Sequence, residues 1–355
     1  MNELKSKPRI EYVDLVKGFC MFFVVSFHCH VTYCPWLYDL VRCMYLPAFF
    51  FCAALFFNSD VPFRRFLVRK INLLLVPWAF FLLVCLAGYS VVYAIGRIVP
   101  ASGISWQSVL GDYSPYGFIK FPANLPSWYL WCIFFSFMAY YAVSRLGRHI
   151  LLRGLLVVAS ALAGWYFEQY DVRVSLRGNI VMMFLYDFHF FTALEMLPFM
   201  FAGEELRRRG LLEFRFRSLW GVAVIMISSA VWAIYSGKVF VTLYGHVWPL
   251  EAYLPGFAGT ASVFAIMAVI RRFPLLHFLG RYSLTVLCTH YMLFLALENF
   301  ISNPWLLFVC VLVATLAAVK LFVTYCPSFT GQRNLIPLPT SCRQTSPEKD
   351  YGRIA

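Results

Sequence analysis

The residues that invite chemistry sit in the first apolar run. YVDLVKGFCMFFVVSFHCH, residues 12–30, carries Asp14 and Lys17 near one end and His28 and His30 near the other. Ionisable side chains are costly in an apolar setting, so each marks a candidate site. Lys17 and His28 are eleven residues apart. On a helix that is about 1100° of rotation, within ~20° of three full turns, so both project from one face about 16 Å apart along the axis. Asp14 lies one turn before Lys17 and is its i,i+3 partner, and His30 points to the opposite side. A donor with a phosphate head and a long thin arm fits this face, with the phosphates at the basic end and the reactive end at the imidazole. The same spacing equally suits a snorkelling Lys17 and a His28 that hydrogen-bonds a neighbouring helix.

Three further sets of residues bear on that chemistry. FRRFLVRK at 63–70 places Arg65 and Arg69 at i,i+4 beside Arg64, either a guanidinium fork for phosphates or a topological anchor. The sixth apolar run holds Asp187, His189 and Glu195, and the ninth holds His290. Asp187 and His290 fall at a depth similar to that of His28 and could form one polar layer with it. Asp14 is about 21 Å from His28 along the helix, so a group that orients His28 must come from another helix, and Asp187 and His290 are the candidates. Glu195 falls nearer the depth of Lys17 and could pair with Lys17 or Arg42. Nothing has the spacing of a metal site, a phosphate-binding loop or a serine nucleophile elbow.

Stepping outward, the elements that position these residues are membrane helices. The chain of 355 residues is 61% hydrophobic and only 13% charged, where soluble domains carry about a quarter charged residues. The net charge of +13 does not signal nucleic acid, because the cations fall in short clusters between apolar runs. On the ruler of about twenty apolar residues per span, ten runs stand out: 13–34, 39–57, 71–95, 127–144, 150–168, 179–203, 218–236, 250–270, 275–298 and 305–325. Lys and Arg concentrate in alternate connections, as in Arg64, Arg65, Arg69 and Lys70 or Arg207, Arg208, Arg209, Arg215 and Arg217, which predicts ten spans with both termini in the cytoplasm. The first run lacks a small-residue cleavage site and is expected to stay as a helix. The Cys residues lie mostly inside apolar runs as small hydrophobes; Cys34 and Cys43 flank a short outer turn and are the one pair considered for a disulfide. The connection 96–126 is the longest outer one and could cover an outward-facing site. Residues 9–325 form the bundle, and 326–355 read as a polar, disordered cytoplasmic tail.

Read in order, these segments resemble the integral-membrane acyltransferase-3 family. The pattern Asp14-x-x-Lys17, ten residues, His28 is similar to its first helix. YLPAFFFCAALFF (45–57) with FRRFLVRKINLLLVPW (63–78), LPSWYLWCIFF (125–135), LPFMFAGEELRRR (197–209) and LGRYSLTVLCTHYML (279–293) resemble its later segments. The likeness covers residues 9–325. Two departures stand out: Lys17 takes the place of a common Arg, and Cys52-Ala53-Ala54 that of a Ser-Gly pair. The resemblance implies an all-α, ten-helix membrane bundle that transfers an acyl group, most often acetyl from acetyl-CoA, to a hydroxyl of a sugar, glycan or lipid-linked glycan, in a bacterial inner membrane. It implies that His28 is catalytic, as general base or transient acyl carrier, and that Lys17, Arg65 and Arg69, with Arg64 beside them, face the donor. Expected partners are acyl-CoA, the glycan acceptor and the lipid bilayer, with no metal and no nucleic acid. The alternatives are a transporter or flippase of a sugar or lipid, with the same polar layers as its pathway, and a scaffold in which they only pair helices.

Overall fold

The structure is a computed structural model that describes residues 10–98, 122–147, 149–169, 178–211, 219–235, 249–270, 272–298 and 300–339, with a few positions between 172 and 176. Most of the long outer connection, at 99–121, and residues 340–355 lie outside the described residues. Among those described, every regular element is helical. In chain order the elements are α1 (Glu11–His28), α2 (Pro35–Arg42), α3 (Tyr45–Ala54), α4 (Phe63–Lys70), a π-helical turn (Ile71–Leu75), α5 (Val76–Ile98), a 3-10 segment (Pro122–Ser127), α6 (Trp128–Leu146), α7 (Ile150–Glu168), α8 (Ile180–Asp187), α9 (Phe190–Glu195), α10 (Leu197–Arg208), α11 (Leu219–Tyr235), α12 (Pro249–Ile270), α13 (Pro274–Arg281), α14 (Ser283–Leu297) and α15 (Pro304–Tyr325).

Each of the ten apolar runs is helical, but fewer qualify as spans on length and composition. Among the described residues, six helical segments are long and apolar enough, and seven if the pair Ile180–Asp187 and Phe190–Arg208, bent by 56°, counts as one. The others carry charge or are short: α1 holds Glu11, Asp14 and Lys17, and α11 and α14 have 17 and 15 residues. The sixth run breaks at His189, which takes the left-handed conformation (φ 55°) between α8 and α9. Large apolar side chains such as Leu83, Leu151, Leu155 and Val313 face outward at more than half exposure, as expected where lipid rather than water is the solvent.

With no hydrophobic drive between helices in lipid, close packing depends on small residues at the crossings. The tightest crossing joins α1 to α13. A Cβ on Gly18 would overlap the Leu276 carbonyl, and one on Gly280 would overlap the Asp14 carbonyl. Gly203 of α10 meets the Phe51 carbonyl of α3 in the same way, and Gly164 of α7 meets that of Phe191 in α9.

Arg153 and Glu204 form a buried charge cluster. Glu204, 1% exposed, accepts from Tyr140 Oη at 2.5 Å and from Arg208, whose Nη2 lies 2.7 Å away, and Arg153 Nη1 stands 3.6 Å off. Arg153 also pairs with Glu205. The cluster ties α6, α7 and α10 together.

Residues 326–339, which composition assigns to a disordered tail, are instead anchored. After α15 the chain folds back over the π turn. Asn72, 2% exposed, accepts from the N–H groups of Leu335 and Ile336 at 2.9 and 2.8 Å and donates to the carbonyls of Ile336 and Val68 at 2.9 and 3.0 Å. Phe329 stacks on Phe80 at 4.8 Å. Polarity misleads here because one buried amide satisfies this backbone. Cys34 and Cys43 are both free thiols; the Cys43 sulfur accepts from Trp232 Nε1 at 3.2 Å, so the disulfide considered from sequence does not form.

Candidate active site

His28 is the last residue of α1 and is partly exposed. Helix α14 brings His290, fully buried, against it. His290 Nε2 lies 3.1 Å from His28 Nδ1, with the ring centroids 5.1 Å apart. The other nitrogen of His290, Nδ1, lies 2.8 Å from the Val286 carbonyl one turn earlier. A carbonyl oxygen can only accept, so His290 Nδ1 carries a proton. With one proton per ring, Nε2 of His290 is then an acceptor for His28 Nδ1–H; the Val24 carbonyl, one turn earlier in α1, also hydrogen-bonds the His28 ring. That leaves the lone pair of the His28 ring on Nε2, directed away from His290. Tyr291, the next residue of α14, also meets the His28 ring, at 5.3 Å and edge to face. A histidine whose Nδ1–H is held by a fixed acceptor, with Nε2 open, is arranged to take a proton.

The other candidate residues fall in separate places. Lys17, 11% exposed, pairs with Asp14 at 3.2 Å, and His277 of α13 approaches Asp14 at 4.0 Å. The Gly18 and Gly280 contacts that seat α13 on α1 also bring His277 to this pair. Arg64 is exposed, and Arg65 and Arg69 are half-buried, on α4. That helix packs through Phe66 on Phe137 and Tyr141 of α6, and Lys70 lies 3.1 Å from the centre of the Phe137 ring. Lys17 and the arginines thus stand on different helices, α1 and α4. Asp187 ends α8 at the helix break, where Phe188 packs on Trp131 at 4.4 Å and His189 lies over Trp128 at 4.6 Å. Between the two orienting candidates, the contact to His28 is made by His290. Glu195 lies in α9, and its backbone carbonyl accepts from Tyr253 Oη at 2.8 Å; the ion pair of Lys17 is with Asp14. Among the described residues, no group of His, Cys, Asp and Glu is placed to hold a metal ion.

Sequence reasoning passed over Tyr291 and Asn72 and set His277 aside as a residue near an inner loop. Tyr291 adjoins a residue already singled out, and Asn72 is a lone amide in an apolar run, which signals a buried polar need. For His277 no sequence signal existed, because its role depends on the α1–α13 crossing.

The acyltransferase domain model of the acyltransferase-3 family matches residues 10–323. The chain belongs to that family. No curated protein and no solved structure matches it. As an acyltransferase-3 protein with several apolar, outward-facing helices, it is an integral-membrane acyltransferase. The match runs from the start of α1 to within α15, so His28, His290, Lys17 and α4 all lie inside the matched domain.

Proposed function

We propose that this acyltransferase moves an acetyl group from acetyl-CoA, entering from the cytoplasm, to a hydroxyl of a sugar or glycan at the outer side of a bacterial inner membrane. The observation that carries the reading is the hydrogen-bonded pair His28–His290 with His28 Nε2 open. Membership of an acyltransferase family and the basic clusters in alternate connections support it; those clusters also favour ten spans with both termini inside.

His28 Nε2 takes the proton of the acceptor hydroxyl as its oxygen attacks the thioester carbonyl carbon. His290 holds the ring and spreads the charge that develops on it. The tetrahedral adduct collapses, the C–S bond breaks, and the sulfur of coenzyme A takes the proton back from His28. The ester and free thiol are formed with no net proton change. Arg64, Arg65, Arg69 and Lys17 attract the donor's phosphates and pyrophosphate, which guanidinium forks match well.

The test is calorimetric titration of acetyl-CoA into purified protein, wild type against Arg65→Ala/Arg69→Ala. The expected result is binding in the first and a loss of about tenfold or more in the second. Folded wild-type protein that does not bind acetyl-CoA would overturn the reading in favour of a transport pathway. A folded His28→Ala protein that still transfers labelled acetyl at the wild-type rate would sink the role of His28.

A further inference from the structure

We infer that Arg42, Tyr38 and Tyr45 form an anion site for the acceptor, so that the acceptor is an acidic sugar carrying a carboxylate or a phosphate. This rests on the acyl-transfer reading above. Arg42 ends α2, and its guanidinium carbon lies 5.7 Å from the centre of the Tyr38 ring. Tyr45 begins α3, with Arg42 and Tyr38 within electrostatic range of its hydroxyl. All three are donors. Lys17, Arg153 and Arg208 each have a carboxylate partner. Arg42 has none among the described residues, and Asp39, the carboxylate of its own helix, makes no ion pair with it. Neither tyrosine hydroxyl hydrogen-bonds a described residue.

An intramembrane guanidinium normally finds a partner or faces a polar path. Here it rests on a ring face and keeps its N–H fork open, the arrangement that reads a carboxylate or phosphate in two-point fashion. The location points to the acceptor rather than the donor. The ring of Phe27, the residue before His28, meets Tyr38 at 5.0 Å and Tyr45 at 6.3 Å. The cluster therefore borders the His28 end of α1, whereas Lys17 marks the other end. Tyr38 and Trp36, 38% and 65% exposed, add aromatic surface of the kind that lines small-molecule sites. An acidic group held by Arg42 anchors the sugar beside the histidine that activates its hydroxyl.

The experiment uses the full chain in phosphatidylcholine nanodiscs. Glucose 1-phosphate, glucuronic acid and glucose are titrated into wild type, Arg42→Gln and Tyr45→Phe, with melting temperatures to verify folding. The expected result is that at least one acidic sugar binds about tenfold or more tightly than glucose, that Arg42→Gln abolishes the preference, and that Tyr45→Phe weakens it. Preference for the phosphate alone assigns a sugar phosphate; preference for the carboxylate alone assigns a uronic acid. Equal binding of all three sugars, no binding of either acidic one, or a preference that survives in Arg42→Gln overturns the inference. So does loss of the preference when phosphatidylglycerol replaces part of the lipid, which assigns the site to a headgroup. Acetyl-CoA titration of the same samples separates the two readings. Acidic-sugar binding without acetyl-CoA binding sinks acyl transfer and leaves the anion site, and the converse sinks the anion site.

Discussion

His28 Nδ1 and His290 Nε2 stand 3.1 Å apart, joining residues 262 positions apart in the chain. The link makes His290 a positioning residue for the His28 ring. His290→Ala is expected to lower kcat for acyl transfer by about 10²-fold or more, within the range that general-base catalysis supplies, with little change in donor KM. The pH–rate profile should shift as well, because the partner of His28 Nδ1 is lost. A purely structural His290 would lower the amount of folded protein and leave the profile of the remainder in place.

The α1–α13 crossing leaves no room for a side chain. Gly18→Ala would drive a methyl group into the Leu276 carbonyl, and Gly280→Ala would do the same at Asp14. Each is expected to cost about 1–3 kcal/mol or more from backbone displacement. Melting of the detergent-solubilised variants checks this. The comparison is Gly88→Ala, where a Cβ meets nothing within 4 Å, which should melt like wild type.

Glu204 neutralises Arg153 and Arg208 and accepts from Tyr140. Glu204→Ala takes the acceptor from Tyr140 Oη and one of two carboxylates from Arg153, whose guanidinium is buried and keeps Glu205. Breaking one partner of a buried pair costs about 3–5 kcal/mol. Arg208, 45% exposed at its side chain, is reachable by solvent, so Arg208→Ala should cost much less. Thermal unfolding of the two variants, side by side, gives the order; an equal loss would count against burial as the cause.

The clasp at Asn72 holds residues 326–339. Asn72→Ala removes four hydrogen bonds to the backbone and takes the Asn72 partner from the Leu335 and Ile336 groups, while the Val68 carbonyl keeps the N–H of Ile71; the cost is about 1–3 kcal/mol for each group that stays buried and unpaired. The strap should open. Arg333 is exposed within it, so limited trypsin digestion, read by mass spectrometry, is expected to cut there faster in the variant. An unchanged rate would mean that the stacking of Phe329 on Phe80 holds the strap by itself.

The sequence by itself determined the solvent, the secondary structure and the family. A charge deficit and ten apolar runs specify helices in lipid, because an unpaired backbone group in hydrocarbon leaves little else. Helical rotation likewise relates Lys17 to His28 within α1 and Arg65 to Arg69 within α4. What only the tertiary structure decided is which distant groups meet. Depth along a helix pointed to both Asp187 and His290 as orienting groups, but the rotation and approach of α14 bring His290 to the ring. Periodicity is silent on such choices, since small changes in crossing angle turn a side chain toward a neighbour or toward lipid. Those angles follow from contacts such as Gly18 against Leu276, which exist only once both helices are in place. The same reason explains Asn72: its four partners come from its own helix and from a strap more than 250 residues away, and no local pattern encodes that return.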